Sequence, residues 1–254
     1  MKNYFKFLII LTLAWLSNAS FLFSQSITIA AASNFREPLT ELIKAFCTSN
    51  NEASIHTVFG SSGSLYHQLS QNAPFDLYFS ADVSHPLSLW ESGLAANKPS
   101  FYATGLLVLW SKSMDVSKGL SVIQSNKINK IAIANPKLAP YGTAAVEFLT
   151  KQNLYDHVKT KLVLAENIAQ TAQFAYSGNV DVAFIAKSQL FSSLFANVGT
   201  SYLIPSDCYT PIHQAFVIIK KNANLQLSEN FAKFVLSDAG KSIIQKYGYL
   251  TTDK

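Results

Sequence analysis

Apolar runs of two different periods alternate along this chain. Strand-like runs, "SITIAAAS", "ASIHTVFG" and "DLYFSAD", are each followed by a stretch of helical spacing. The first such stretch, "NFREPLTELIKAFCTSN", puts Leu39, Leu42, Ile43 and Phe46 on one face; "SLYHQLSQ" and "VSHPLSLWESG", the latter closed by Gly93, follow. Strands separated by helices cannot pair through hairpins, so the rhythm predicts an α/β fold with a mainly parallel sheet flanked by helices. A second set opens at "KIAIANP" and runs through "YGTAAVEFLTKQNL", "KLVLAE", "NIAQTAQFAYSG" and "VDVAFIAKSQ".

Two apolar runs break the alternation. "FYATGLLVLWSK" has no helix directly after it, and "HQAFVIIKK" precedes the closing helical stretch "LSENFAKFVLSDAGKSIIQKYGY". Two α/β units joined by two long strands imply two lobes with a cleft between them. The expected division is residues 26–105 with 213–254 in lobe 1 and residues 106–212 in lobe 2, with the strands near 101–110 and 213–219 as the hinge.

The first residues place Lys2 and Lys6 ahead of an apolar core over residues 7–16, followed by Ser17, Asn18, Ala19 and Ser20. This is the layout of a signal peptide over residues 1–25, with an apolar core too short to span a bilayer, and it implies export to the periplasm. No cysteine follows the core, so no lipid anchor is indicated. Losing the segment removes two lysines and no acids, which lowers the formal charge from +5 to +3. The remaining chain, drawn from a sequence 49% hydrophobic and 14% charged, has ample material for a core. Arg36 is the only arginine, which disfavours nucleic-acid binding. Cys47 and Cys208 are expected to stay unpaired, and the five histidines are scattered, so no metal site is expected.

Four strand-to-helix turns carry small polar residues: Ala32-Ser33-Asn34, Gly60-Ser61-Ser62-Gly63-Ser64, Ala139-Pro140-Tyr141-Gly142-Thr143 and Glu166-Asn167-Ile168. Each has two explanations. A serine or asparagine at such a place caps its helix. The same position, outside the carboxyl end of a strand in an open α/β sheet, is also where unpaired helix N–H groups bind anions. Two turns fall in each half of the chain, and it is the set of four that favours an anion site.

In order and spacing, "ITIAAASNF", "FGSSGSLYHQL", "NAPFDLYFSAD", "GLLVLWS", "IANPKLAPYGTAAVEFL", "AENIAQTAQFAYSGNVDVAFIAKSQ" and the terminal "KYGY" resemble the periplasmic molybdate-binding proteins of ABC transporters over essentially the whole mature length. The resemblance implies a two-lobed periplasmic substrate-binding fold of type II, a monomer that grips molybdate or tungstate between its lobes and delivers it to a membrane permease. It implies no cofactor and no catalysis. Carried over by position, Ser33 and Asn34 belong to the first binding turn, Ser61 and Ser62 to the second, Tyr141 to the third and Ile168 to the fourth. Tyr141 and Ile168 act through their backbone N–H groups. Some relatives use a tyrosine where this chain has Ala186, a departure that alters the donor set.

Two rival functions remain on the residues alone. Gly60-Ser61-Ser62-Gly63-Ser64 approaches the G-x-S-x-G nucleophile elbow of hydrolases but carries Ser64 at the last position, and no histidine stands in a triad context. A binding protein for sulfate or phosphate shares the fold requirements. Protonated phosphate favours an acceptor carboxylate, for which Glu166 and Asp82 are the nearby candidates. Intact-mass analysis of protein recovered from the periplasm is expected to find a chain that starts between about residue 21 and residue 26; recovery of Met1 in a membrane fraction contradicts the export assignment.

Overall fold

The computed structural model describes residues 25–222 and 224–251; residues 1–24, which hold nearly all of the expected signal peptide, lie outside the described residues. Along the chain run strands β1 (Gln25–Ala32), β2 (Ala53–Gly60), β3 (Leu77–Ser80), β4 (Ser100–Gly105), β5 (Leu107–Ser111), β6 (Ile131–Ala134), β7 (Leu162–Ala165), β8 (Val182–Ala186), β9 (Thr200–Leu203) and β10 (Ile212–Ile218). Helices α1 (Arg36–Ser49), α2 (Ser62–Ser70), α3 (Ser84–Glu91), α4 (Pro140–Lys151), α5 (Tyr155–Val158), α6 (Ile168–Tyr176), α7 (Leu225–Leu236) and α8 (Asp238–Lys246) separate or follow them.

The strands form two sheets of identical plan, β2-β1-β3-β10-β4 and β7-β6-β8-β5-β9. In each, four strands run one way and one runs against them: β1 pairs in parallel with β2 and β3, while β10 runs antiparallel to β3 and β4. The second sheet repeats this with β6 parallel to β7 and β8, and β5 antiparallel to β8 and β9. Both sheets are therefore mixed, with a single reversed strand in an otherwise one-way set. The cause is topological, because β5 and β10 enter from the opposite lobe and no crossover helix sets their direction.

The two apolar runs behave differently from one another. The first splits at Leu106, with β4 in one sheet and β5 in the other. The strand over His213 lies wholly in the first sheet, and the second crossing is the segment just before it, residues 204–211. A buried central strand and a crossing strand have the same apolar signature, which is why the sequence could not separate them.

Helices cover both faces of each sheet, so the central strands are buried throughout. Along β1, Ile27, Ile29 and Ala31 enter one core and Ala30 the opposite one. Cys47 packs against the core of the first lobe and Cys208 against that of the second, and both thiols are free. Cys47 Sγ lies 3.6 Å from the Ala53 carbonyl, and Cys208 Sγ accepts from Gln152 Nε2 at 3.5 Å. Thiol titration of the unreduced protein in denaturant is expected to count both cysteines; a loss of the pair contradicts their placement in separate lobes.

Candidate functional site

β1 ends at Ala32, and a short 3-10 turn, Ser33–Phe35, leads into α1. Phe35 anchors this turn between Phe79, Tyr102 and Tyr249, at centroid distances of 5.6, 4.6 and 5.8 Å. The Ser33 hydroxyl donates to the Gly60 carbonyl at 2.9 Å, which commits its single proton. Asn34 Nδ2 donates to Gln214 Oε1 at 2.9 Å and to Tyr249 Oη at 2.8 Å, so the amide nitrogen is committed as well. Neither residue caps α1 with its side chain.

The second turn divides its labour between adjacent serines. Ser61 is the N-cap of α2, accepting from the Ser64 N–H at 3.3 Å, and its hydroxyl also meets that of Ser64. Ser62 is not a cap. Its Oγ accepts from the Ala81 N–H at 3.0 Å, and its carbonyl accepts from Tyr78 Oη at 2.7 Å. With a donor already on the oxygen, the hydroxyl proton of Ser62 has no acceptor among the described residues and is free to donate.

The third and fourth turns each isolate one backbone donor. At the start of α4, Pro140 has no N–H, while Gly142 and Thr143 donate to Ala139 O at 2.9 and 3.2 Å. The Tyr141 N–H is left without a partner among the described residues. At the start of α6, Asn167 Oδ1 takes the N–H groups of Ala169 and Gln170, at 3.0 and 3.1 Å. That leaves the Ile168 N–H. Capping thus explains Asn167 and Ser61, and it selects which neighbouring N–H remains open.

Hydrogen bonds join the four turns into a ring. Ser33 reaches Gly60; the Gly63 N–H donates to the Leu138 carbonyl of the other lobe at 2.8 Å; Ser188 Oγ donates to Asn34 O at 2.8 Å; and Gln189 Nε2 donates to Ile168 O at 2.9 Å. Ala32 and Ala81 of the first lobe pack in the same apolar cluster as Ala139, Tyr141, Ile168 and Ala186 of the second. The ring is closed off from solvent: Ser33, Asn34, Ser61, Ser62, Tyr141 and Ile168 are each at most 5% exposed. A cleft of about 440 Å³ lined by Ala81, Ala139 and Pro140 flanks it on one side, and one of about 390 Å³ lined by Ser33, Asn34 and Ala169 on the other.

Neither carboxylate expected near the turns is free to serve the ring. Glu166 is exposed. Asp82 accepts from the His85 N–H at 2.9 Å and pairs with His85 Nδ1 at 2.7 Å. Burial works against its charge, yet the bonds and charge of His85, with a bond from Ser80, hold its pKa below the usual carboxylate value. Sequence reasoning missed four residues that build the ring: Ser188, Gln189, Gln214 and Tyr249. Ser188 and Gln189 fix the turns at Asn34 and Ile168, and Gln189 Oε1 takes the Ala186 N–H at 2.9 Å, the position of the absent tyrosine. The signal for them was weak: a polar side chain inside or just after an apolar run needs buried partners.

Comparison with known proteins agrees with this geometry. Residues 27–250 match the family model for bacterial extracellular solute-binding proteins. The chain belongs to this family. It is 38% identical over 223 residues, 87% of each chain, to the molybdate-binding protein ModA of Rhodobacter capsulatus. The periplasmic molybdate-binding protein of Azotobacter vinelandii superposes with a TM-score of 0.84 at 31% identity, covering 89% of this chain and all of that one. The sulfate-binding protein SubI of Mycobacterium tuberculosis shares the fold at a TM-score of 0.76 and 15% identity, over 90% of this chain and 88% of that one. A solute-binding protein of this kind is not an enzyme. Accordingly Ser62 Oγ meets the Ala81 N–H rather than an imidazole, so the serine elbow lacks a base.

In a solute-binding protein the lobes must part to admit and release the solute, and Gly63 marks where they touch. A Cβ on Gly63 would stand 3.1 Å from both Cα and O of Leu138, backbone atoms that yield only if the lobes do. Gly63→Ala is therefore expected to hinder closure while leaving every oxyanion donor in place. Alanine at this helical position also restricts the unfolded chain, so the ligand-free melting temperature should hold or rise. Small-angle scattering checks this: the variant should compact less than the parent protein on saturation with oxyanion, and equal compaction overturns the assignment of this contact to the closed state.

Proposed function

We propose that the chain captures molybdate outside the cytoplasm and serves as the binding component of an ABC importer, taking tungstate as well and handing the anion to a membrane permease. The observation that carries this is the ring of neutral donors: the Ser62 hydroxyl, the Tyr141 N–H and the Ile168 N–H, contributed by both lobes and enclosed without a counter-charge. Fixed dipoles at helix starts hold a dianion without a cation. The identity to a molybdate-binding protein over 87% of the chain supports molybdate among the oxyanions. Arg36, the sole arginine, is exposed and lies over the Phe59 ring at 4.0 Å, at the rim of the cleft that Ser33 and Asn34 line.

Asn34 and Ser33 take part differently from Ser62. With its side-chain nitrogen committed to Gln214 and Tyr249, Asn34 contributes through its backbone unless its amide turns. The Ser33 hydroxyl must leave Gly60 O to reach an anion, which offsets part of what it gains. Ser61 acts by holding the start of α2 in place. A phosphate proton finds no carboxylate acceptor in the exposed Glu166 or the saturated Asp82. Sulfate matches molybdate in charge and shape, but its shorter bonds to oxygen leave some donors of a rigid cage beyond good hydrogen-bond distance.

Calorimetry with molybdate, tungstate and sulfate tests this. Ser62→Ala is expected to weaken molybdate binding by about 1.5–3 kcal/mol, the range for a hydrogen bond to a charged group. Ser33→Ala should cost less, and Ile168→Val should change little because the backbone donates. Sulfate that displaces bound molybdate at comparable concentration removes the molybdate assignment and leaves a general oxyanion-binding protein.

A further inference from the structure

Behind the ring lies a buried polar network that the binding turns do not account for. Gln214, fully buried on β10, sits at a register shift between Gln214 and Ala215. Such a bulge re-aims a side chain. Its Oε1 accepts from Asn34 Nδ2 at 2.9 Å and from Tyr102 Oη at 2.8 Å, while its Nε2 donates to Tyr141 Oη at 3.3 Å in the other lobe. Tyr249 Oη completes the group: it takes a bond from Asn34 Nδ2 at 2.8 Å and donates to Asn34 O at 2.8 Å. Tyr249 is held by the backbone bridge of Leu250 to Thr104, at 2.7 and 3.0 Å.

Gly105, the last residue before the Leu106 crossing, is shaped by this network. A Cβ there would overlap Tyr141 Oη and lie 2.5 Å from Gln214 Nε2, so the link between lobes occupies the space a side chain would need. One atom in the group is unsatisfied. Asn34 Oδ1, on a residue 2% exposed, has no hydrogen-bond partner among the described residues. A buried acceptor without a donor is costly and calls for an explanation.

The amides of Asn34 and Gln214 can turn over together with one exchange of partner: Tyr249 gives up its donation to Asn34 O, which Ser188 Oγ still serves. Gln214 Nε2 then donates to Asn34 Oδ1 and Tyr102 Oη, Tyr102 turns its single proton to Ser80 O at 3.2 Å, Tyr141 donates to Gln214 Oε1 and Tyr249 to Asn34 Oδ1. What changes is the unsatisfied atom, which becomes an Asn34 N–H instead of an oxygen. An anion selects that arrangement, and either amide alone cannot adopt it without opposing two donors or two acceptors.

We infer that Gln214 is a positioning residue for anion capture, setting the direction of the Asn34 amide in one lobe and tying it through Tyr141 to the third binding turn in the other. The inference rests on the ring being the oxyanion site. Gln214 touches no ligand in this arrangement; it acts through Asn34 and Tyr141. From the elements packed around it, the groups that face the amide are the hydroxyls of Tyr102, Tyr141 and Tyr249, and the acid that acts on Tyr102 is Asp82, paired with His85. Burial pushes all three tyrosines well above their ordinary range, so they stay protonated at any pH the protein meets.

Titration of the full mature chain with sodium molybdate at pH 8.0 and pH 5.5, with ligand-free melting curves alongside, tests this. Gln214→Leu is expected to weaken binding by at least about tenfold at both pH values. Gln214→Glu should weaken it by more than about a hundredfold at pH 8.0, because a carboxylate only accepts, holds Asn34 in the wrong direction and adds a buried negative charge. At pH 5.5 the protonated acid regains a donor, and at least about tenfold of that loss should return, against a wild-type change of less than about threefold. Gly105→Ala attacks the same link from another strand and should weaken binding at both pH values, so it carries the test if the Gln214 variants fold poorly. Wild-type affinity in Gln214→Leu or in Gly105→Ala, or a Gln214→Glu defect that ignores pH, overturns the inference. Failure of the wild-type chain to bind molybdate would instead overturn the proposed function.

Discussion

Backbone donors that cannot be satisfied within their own helices govern the rest of this molecule. Each α-helix begins with N–H groups that lack intrahelical acceptors, and four helices or turns here begin at one closed place. Buried and unpaired, each such donor costs about 1–3 kcal/mol, so a closed and unfilled ring is unfavourable. Parting the lobes gives the donors water; an anion gives them acceptors. Closure and ligand binding are thus one equilibrium, in which the ligand stabilises only the state it can touch from both sides.

The repeated sheet plan makes that arrangement possible. In both sheets the parallel strands end toward the partner lobe, and the helices that follow them start there. The strands that arrive from the other lobe, β5 and β10, lie beside β8 and β3 in the interior of each sheet. Each crossing segment is therefore anchored in two cores. Rotation at Leu106 and residues 204–211 would let the lobes keep their packing while the gap between them changes.

Much of this was legible in the sequence because the physics that sets it is local. The strands and helices of the two α/β sets follow from periods of two and 3.6, and "ASIHTVFG" coincides with β2 over Ala53–Gly60. β9 was not legible, since "TSYL" is a short edge strand, half exposed, with no apolar run to announce it. The turns at Ser33, Ser62, Tyr141 and Ile168 stood out as small polar or glycine-containing breaks after strands. Which atom in each would be left free did not, because that depends on capping by Ser61 and Asn167 and on the distant Ala81 N–H. Gln214 was hidden for a related reason: within "IHQAFVII" it reads as one polar residue in a strand, and only the fold reveals partners at positions 34, 102 and 141.

Neutrality gives the site its character. A pocket that held its anion with lysine or arginine would bind many dianions, and would weaken as salt screened the attraction. On the proposed reading, selectivity comes from whether a tetrahedral anion can meet donors fixed on two rigid bodies at once. An anion too small to span them leaves some donors unpaired, and it pays that cost in the closed state only. Such a ligand does not draw the equilibrium toward the closed form, so the same unpaired donors that reject it also keep the lobes from closing on it.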